Sequence, residues 1–169
     1  AIFLPVVFIL YWIAGKISLR FQNLLIVVAS YVFYGWWDWR FLSLIILSTG
    51  IDYTLGLQLS KTKNPWRRKL FLWISIGMNI GLLGFFKYYN FFLENFIAAF
   101  SLFGHEIQSN SLNIILPVGI SFYTFQTLSY TIDVYRKKLE PTDDFIAFSA
   151  FVSFFPQLVA GPIERATHL

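Results

Sequence analysis

The stretch FLSLIILSTGIDYTLGLQLS, Phe41–Ser60, contains twenty residues, of which only Asp52 is charged. A helix needs about 20 apolar residues to cross the roughly 30 Å hydrocarbon layer of a bilayer. The apolar residues follow one another without the strict alternation of a barrel strand, so a transmembrane β-barrel is not favoured. The stretch therefore predicts a membrane-spanning helix.

Similar apolar runs lie on both sides of this stretch. They cover Ala1–Gly15, Phe21–Trp37, Leu70–Phe86, Ile114–Ile132 and Phe145–Ala160. Between two of them, Tyr88–Gly104 is aromatic but places Asn90, Glu94 and Asn95 at helical spacing on one side, which is typical of an amphipathic helix at the membrane interface. The predicted fold is all-α, a polytopic transmembrane helical bundle with about five to six membrane segments plus one interfacial helix.

The composition of the whole chain favours the same class. Hydrophobic side chains make up 57%, aromatic ones 21% and charged ones 13%, whereas a soluble domain carries about 25% charged residues. Disorder is excluded by the apolar content. The chain has no Cys, which excludes a disulfide scaffold, thiol nucleophiles and Cys-type metal sites. The formal charge of +4 lies in short clusters between apolar runs, so it does not predict nucleic-acid binding.

The basic residues are distributed unevenly between the connections. The first, third and fifth connections carry ten of the 13 Lys and Arg residues, and the second and fourth carry two. Cytoplasmic connections carry an excess of Lys and Arg. The count therefore predicts a cytoplasmic side for the odd connections and an extracytoplasmic N-terminus. Lys61–Lys69 is interpreted as the main topogenic cluster, with contact to anionic headgroups as the alternative.

Two polar side chains interrupt the spanning runs. Asp52 is either a proton or cation site or a carboxyl that is hydrogen-bonded between helices, and the second interpretation is favoured. Asn79 lies between Gly77 and Gly81 in a G-x-x-x-G pattern. This spacing allows helices to approach closely, so it predicts packing rather than chemistry. Both residues are candidate structural polar groups.

The segment LPVGISFYTFQTLSYTIDVYR, residues 116–136, brings many hydroxyl and amide groups into one spanning helix. Gln126 and Tyr130 are i, i+4 neighbours on one face, and Ser121 adds a hydroxyl to the same helix. A polar face of this length is expected to line a protein interior or a water-filled path.

The end of this helix carries Asp133 and Arg136 at i, i+3, a spacing that allows an ion pair where the helix leaves the membrane.

The segment FVSFFPQLVAGPIER, residues 151–165, contains Pro156 and a Gly-Pro step that break helices. The run Phe145–Ala160 rises only about 24 Å. We expect a bent, partly re-entrant element with a kink near Phe155, in which Gln157 satisfies a freed carbonyl and faces a common interior with Gln126. Arg165 would then lie on the cytoplasmic side as a structural charge.

The sequence contains no complete catalytic constellation. A P-loop, an H-E-x-x-H motif and a G-x-S-x-G elbow are absent from these 169 residues. His105 lies in a polar loop, and His168 follows Glu164 by four residues without a third ligand. No metal site and no bound cofactor are predicted.

Four ordered stretches resemble the membrane-bound O-acyltransferase (MBOAT) family, most closely its alginate O-acetyltransferase branch. They are YVFYGWWDWRF at residues 31–41, LLGFFKYYNFFLEN at 82–95, and the two segments 116–136 and 151–165 quoted above. The sister branch that D-alanylates teichoic acids is the alternative within the family. Residues 1–169 are interpreted as the N-terminal portion of a single membrane domain of this family, truncated at both ends.

The resemblance implies an integral membrane enzyme that moves an acyl group, acetyl in this branch, from a cytoplasmic thioester, on a carrier or CoA, to a hydroxyl of an extracytoplasmic polysaccharide or partner acetyltransferase. The family's central His is expected beyond Leu169, so no residue here is assigned as catalytic and the segment alone is expected to be inactive. Ser121, Gln126, Tyr130 and Gln157 are candidate lining residues of the acyl path. The implied location is the bacterial inner membrane.

Two other function classes remain open on the sequence. Broken helices and the intramembrane Asp52 also fit a secondary transporter or lipid flippase. A non-catalytic membrane scaffold is the third hypothesis.

Overall fold

A computed structural model describes residues 2–102 and 119–161. These residues form helices α1 Phe3–Gly15, α2 Leu19–Trp37, α3 Trp39–Lys61, α4 Pro65–Leu102, α5 Ile120–Tyr135, α6 Phe145–Ser153 and α7 Phe155–Ala160. The described residues contain no β-strand. The predicted all-α fold is confirmed.

Short polar side chains cap the N-termini of three helices. Ser18 Oγ accepts a hydrogen bond from Phe21 N at 3.2 Å at the start of α2. Asp38 Oδ1 accepts from Arg40 N at 2.8 Å and starts α3 directly after α2. Asp144 Oδ1 accepts from Ile146 N at 2.9 Å at the start of α6. Each side chain satisfies a backbone N–H that has no partner inside its helix.

The helices form a bundle around α3 and α5. α3 packs against α2, α4, α5 and α6, while α2 packs against α1 and α6. The buried core between them is largely aromatic and aliphatic and includes Tyr34, Ile45, Tyr130, Phe148 and Val152. The core therefore lies where the α5 and α6 faces meet α2 and α3.

The outer surface of the bundle is apolar. Trp12, Trp36 and Trp73 are exposed over most of their surface. Trp39–Lys61 and Pro65–Tyr89 are each long and apolar enough to cross a membrane, and Phe3–Gly15 and Phe145–Val159 are shorter apolar helices. A helical membrane bundle accounts for both features, because lipid accepts large apolar side chains that water does not.

The predicted division between a spanning helix at Leu70–Phe86 and an interfacial helix at Tyr88–Gly104 is wrong. α4 continues through both as one helix of 38 residues, Pro65–Leu102. Lys87 does not end it, because Lys is a good helix former, and its ammonium lies 5.7 Å from the Tyr88 ring centroid. Since 38 residues rise about 57 Å, the second half of α4 continues the spanning helix instead of forming a separate element.

The expected close packing at Gly77 and Gly81 is also not found among the described residues. A Cβ built on either glycine meets no heavy atom of the described chain within 4 Å. Asn79 is buried instead. Residues two positions before and after it point to the opposite side of the helix, because each residue turns the helix by about 100°.

Candidate functional site

A buried polar cluster joins α3, α4 and α5. Asp52 is 0% exposed. Its Oδ1 accepts hydrogen bonds from Ser75 Oγ at 2.5 Å and Thr131 Oγ1 at 3.4 Å, and its Oδ2 accepts from Asn79 Nδ2 at 2.7 Å. All three donors are neutral. The carboxyl is thus satisfied by two donors from α4, Ser75 and Asn79, and by one from α5, Thr131.

Asn79 is the second centre of this cluster. Its Nδ2 also donates to Ser75 O at 3.0 Å. Its Oδ1 accepts from Thr127 Oγ1 at 3.0 Å and from Ser48 Oγ at 3.3 Å. The two N–H groups and the carbonyl of this amide are therefore all used, which a buried amide requires. The cluster fixes the rotation of α4 relative to α3 and α5.

The helix break lies between α6 and α7. α6 ends at Ser153, and Phe154 has φ −55° and ψ 100°, outside the helical region. α7 begins at Phe155 with Pro156 in its first turn, a position where the missing proline N–H costs no helical bond. The predicted kink near Phe155 is confirmed, although the chain starts a new helix there.

Neighbouring helices satisfy two of the backbone groups that the break frees. Gln126 Nε2 on α5 donates to Phe151 O at 2.9 Å. Phe155 N donates to Ser30 Oγ on α2 at 3.3 Å. In an unbroken helix Phe155 N would donate to Phe151 O. Gln126 is thus the donor to the Phe151 carbonyl, and the predicted bond of Gln157 to a freed carbonyl stays a prediction.

The two helices α6 and α7 run antiparallel to α5 along its whole length. The Tyr130 and Phe148 ring centroids lie 4.6 Å apart, Gln126 bonds Phe151, and a Cβ built on Gly119 would lie 3.1 Å from Leu158 Cβ. This register advances in one direction, so the chain does not turn back over residues 145–160. The re-entrant course predicted for the element 145–168 stays a prediction, because residues 162–168 lie outside the described residues.

Gly119 is required at the start of α5. Its φ is +80°, a left-handed conformation that glycine adopts without strain. A side chain there would also lie 3.2 Å from the Leu158 carbonyl oxygen. The close approach holds the end of α7 against the beginning of α5.

The four predicted lining residues are not equally buried. Gln126 is 1% and Tyr130 0% exposed, whereas Ser121 and Gln157 are half-buried. Tyr130 also packs on Gly56, where a Cβ would lie 2.8 Å from its Cε1 atom. The structure thus brings Gln126 to the helix break and Tyr130 into the core.

Arg68 is a structural position that the sequence interpretation missed. Its guanidinium donates to Leu59 O, and to Tyr135 O at 2.7 Å and Val134 O at 3.4 Å. Its Cζ lies 5.6 Å from the Tyr135 ring centroid. One cation therefore caps the last carbonyls of both α3 and α5. Within the topogenic cluster, this residue differs from its neighbours by being half-buried.

The remaining predicted site residues fall into two groups. The contacts described for Asp133 and Arg136 are backbone ones, with Asp133 O accepting from Lys138 N and Arg136 N donating to Ile132 O, both at 2.9 Å. The predicted ion pair is not among the contacts of the described residues, because the chain turns at Lys137 (φ 57°) and leaves Arg136 exposed. Arg165, His105 and His168 lie outside the described residues.

An apolar groove of about 360 Å³ opens beside the helix break. It lies between α1, α2 and the break and is lined by Val7, Trp12, Ile26, Phe154 and Pro156, among others. Its walls are almost entirely carbon. Such a surface suits lipid chains and offers no group for chemistry.

Comparisons with known proteins agree with the resemblance of the four motifs. The chain is 42% identical over 168 residues to the probable alginate O-acetylase of Pseudomonas putida, a match that covers 97% of this chain and 33% of that protein. The chain is similar to this alginate O-acetylase along nearly its whole length. The corresponding protein of Pseudomonas aeruginosa is 42% identical over 170 residues, covering 97% of this chain and 31% of that protein.

A relative named for a different acceptor matches as well. The peptidoglycan O-acetyltransferase of Helicobacter pylori is 35% identical over 196 aligned residues, covering 99% of this chain and 36% of that protein. The chain thus spans about a third of the length of the curated relatives it matches. No family model and no solved structure matches it.

Proposed function

We propose that these residues form part of an integral membrane O-acyltransferase that transfers an acetyl group to a hydroxyl of an extracytoplasmic polysaccharide. The observation that carries this proposal is the identity of 42% over 97% of the chain to a probable alginate O-acetylase. The peptidoglycan O-acetyltransferase among the relatives supports the general class, in which the acceptor is a polysaccharide and the transferred group is acetyl.

The geometry supports a scaffold role for this part of the enzyme. Irregular backbone at membrane depth is tolerated only where protein or a cavity surrounds it. Here α5 and α2 supply Gln126 and Ser30 to the freed groups of the break. We propose that the half-buried Ser121 and Gln157 border the acyl path. Gln126 and Tyr130 then hold its wall in place.

The chemistry would be acyl transfer from a thioester. The acceptor hydroxyl oxygen forms a bond to the acyl carbon, the carbon–sulfur bond breaks, and the thiol leaves. A base takes the hydroxyl proton, and the resemblance implies that this base is a His outside residues 1–169. A closed protein environment around the reacting groups would limit hydrolysis of the thioester.

The proposed orientation places the basic connections in the cytoplasm of a bacterial cell, at the inner membrane. Arg68 supports a common side for two of them, since it bonds the ends of both α3 and α5. The ten-to-two distribution of Lys and Arg then favours the cytoplasm for that side. The acyl donor, a thioester carrier or CoA, would approach from there.

The proposal can be tested in cells that lack their own polysaccharide O-acetylation. The full-length protein, produced together with its partner acetyltransferase, is expected to restore acetyl esters on the exported polysaccharide. Export of the polymer should be the same with and without the protein. If polymer export itself depended on the protein while ester content did not, the transporter or flippase class would replace the enzyme.

A further inference from the structure

The outer face of α4 carries a stripe of residues at intervals of three and four. The stripe consists of Leu70, Trp73, Gly77, Gly81, Gly84 and Tyr88. It lies opposite Asn79, whose bonds to α3 and α5 fix the rotation of α4. Trp73 is 60% exposed and Tyr88 46%. Within the described part of the chain, this face therefore has no partner helix.

The three glycines of this stripe differ from most glycines elsewhere in the bundle. A Cβ at Gly56 or Gly119 would meet a neighbour at 2.8 Å or 3.1 Å, so a close contact explains each of them. At Gly77, Gly81 and Gly84, a Cβ would meet no heavy atom of the described residues within 4 Å. Glycine is a poor helix former in comparison with alanine, so three of them on one face need a cause outside these residues.

The outer face of α2 serves as a comparison, because bulky apolar side chains cover it instead of a row of open glycines. Val28 and Val32 on that face are 53% and 50% exposed, and bulky apolar side chains of this kind suit contact with lipid. α3 has a single open glycine, Gly50. The stripe on α4 is thus distinguished by three open glycines within two turns, the arrangement that lets a second membrane helix approach closely.

The relatives indicate where such a helix comes from. This chain covers only 31 to 36% of their length, so about two thirds of a protein of their size lies outside residues 1–169. We infer that the stripe Gly77–Gly81–Gly84 is the seam on which a helix from the remainder of the full-length protein packs. A segment of the same chain reaches this face at a higher effective concentration than a second copy does.

Photo-crosslinking in the full-length protein tests this seam directly. Benzoylphenylalanine replaces Trp73 or Phe85, which flank the glycines, and Val28 on α2 serves as the matched control position. After irradiation of membranes, the Trp73 and Phe85 variants should give intramolecular cross-links to peptides from outside residues 1–169, identified by mass spectrometry. The Val28 variant should give none. Lipid adducts alone at Trp73 and Phe85 would overturn the inference, and products of twice the monomer mass would assign the face to a second copy.

A steric variant gives an independent test in the same background. Gly81→Leu is expected to lower the melting temperature of the full-length protein and to abolish the cross-link from position 73, because the leucine side chain occupies the space of the incoming helix. Val28→Leu should leave both unchanged. If Gly81→Leu also left both unchanged, no helix would pack at this seam. Both measurements are independent of acyl transfer, so they stand whether or not the proposed activity is found.

Discussion

At the scale of single residues, Asp52 shows how a carboxyl is kept inside an apolar helix. Neutral donors from α4 and α5 converge on its two oxygens, and the amide that supplies one of them is itself held by two hydroxyls. Removing the carboxyl leaves several buried donors without an acceptor, and unpaired buried groups are more costly than the bond itself is favourable. The cluster therefore depends on Asp52 more than on any single hydroxyl.

Asp52→Ala in the full-length protein is expected to lower the free energy of unfolding by about 1–3 kcal/mol. Asp52→Asn should cost less, because Asn79 can turn its amide to accept from the new side chain. Thr54→Ala is the control on the same helix, since Thr54 is exposed and bonds only its own helix through Gly50 O at 2.6 Å. Denaturant titration in detergent measures all three, and equal effects of Asp52→Ala and Thr54→Ala would argue against the cluster.

The importance of Asp52 and Asn79 could be predicted from the sequence, because polar groups in apolar runs are rare and need partners. Their partners could not be predicted. Thr131 lies 79 residues from Asp52, and Thr127 lies 48 residues from Asn79, so only the packing of three helices brings them together. Arg68 was missed for a related reason, since nothing in a run of basic residues shows which one turns inward.

At the scale of helices, the ends of α3 and α5 depend on Arg68. The flat guanidinium reaches carbonyls on two helices at once, which the single ammonium of Lys does not reproduce. Arg68→Met is expected to lower the free energy of unfolding by about 1.5–3 kcal/mol, while Arg67→Met on the exposed side should change it by less than about 0.5 kcal/mol. Thermal denaturation of the full-length variants in detergent compares them. Arg68→Lys behaving like the wild type would show that charge alone suffices.

The break between α6 and α7 is the second test at this scale. Gln126→Leu keeps the size of the side chain but removes the donor to Phe151 O, so acetyl transfer by the full-length enzyme should fall strongly while the amount of protein in the membrane is retained. Gln58→Leu is the matched control, since Gln58 is exposed on α3. Ester content of the polysaccharide is the measurement. Equal acetylation by both variants would show that the bond from Gln126 to the Phe151 carbonyl is not needed for acyl transfer.

The break itself could be predicted from Pro156 and the Gly161-Pro162 step, whereas its partners and direction could not. Local sequence shows where a helix must stop, but the antiparallel register with α5 depends on contacts such as Gly119 with Leu158. The length of α4 was not predicted correctly, because Asn90, Glu94 and Asn95 suggested a separate interfacial helix. None of these polar residues ends the helix, which continues to Leu102.

At the scale of the whole molecule, the contacts of Arg68 place the Lys61–Lys69 connection and the Arg136–Lys138 connection at the same end of the bundle. Single cysteines are placed at Lys63 or at Lys137 in a full-length protein without other cysteines. Both should react with an impermeant thiol reagent only after the cells are opened. A cysteine at Trp37 should react in intact cells. Labelling of position 63 from outside would reverse the proposed orientation.

At this scale, the class of fold could be predicted from the composition and from the lengths of the apolar runs. The activity could be inferred only from similarity to longer proteins. Apolar runs specify helices because lipid leaves the backbone no other partner. The chemistry was inferred from the ordered motifs and from the relatives, and from no arrangement of side chains in the described part of the chain.

The most direct test of the acyltransferase assignment is transfer by the purified full-length protein in liposomes. An acetyl thioester labelled in the acetyl group is supplied at the cytoplasmic face, and the polysaccharide with its partner acetyltransferase at the other. The account predicts labelled ester on the acceptor with the full-length protein and none with residues 1–169 alone. Absence of label with a folded full-length protein, or label transferred by residues 1–169 alone, would contradict it.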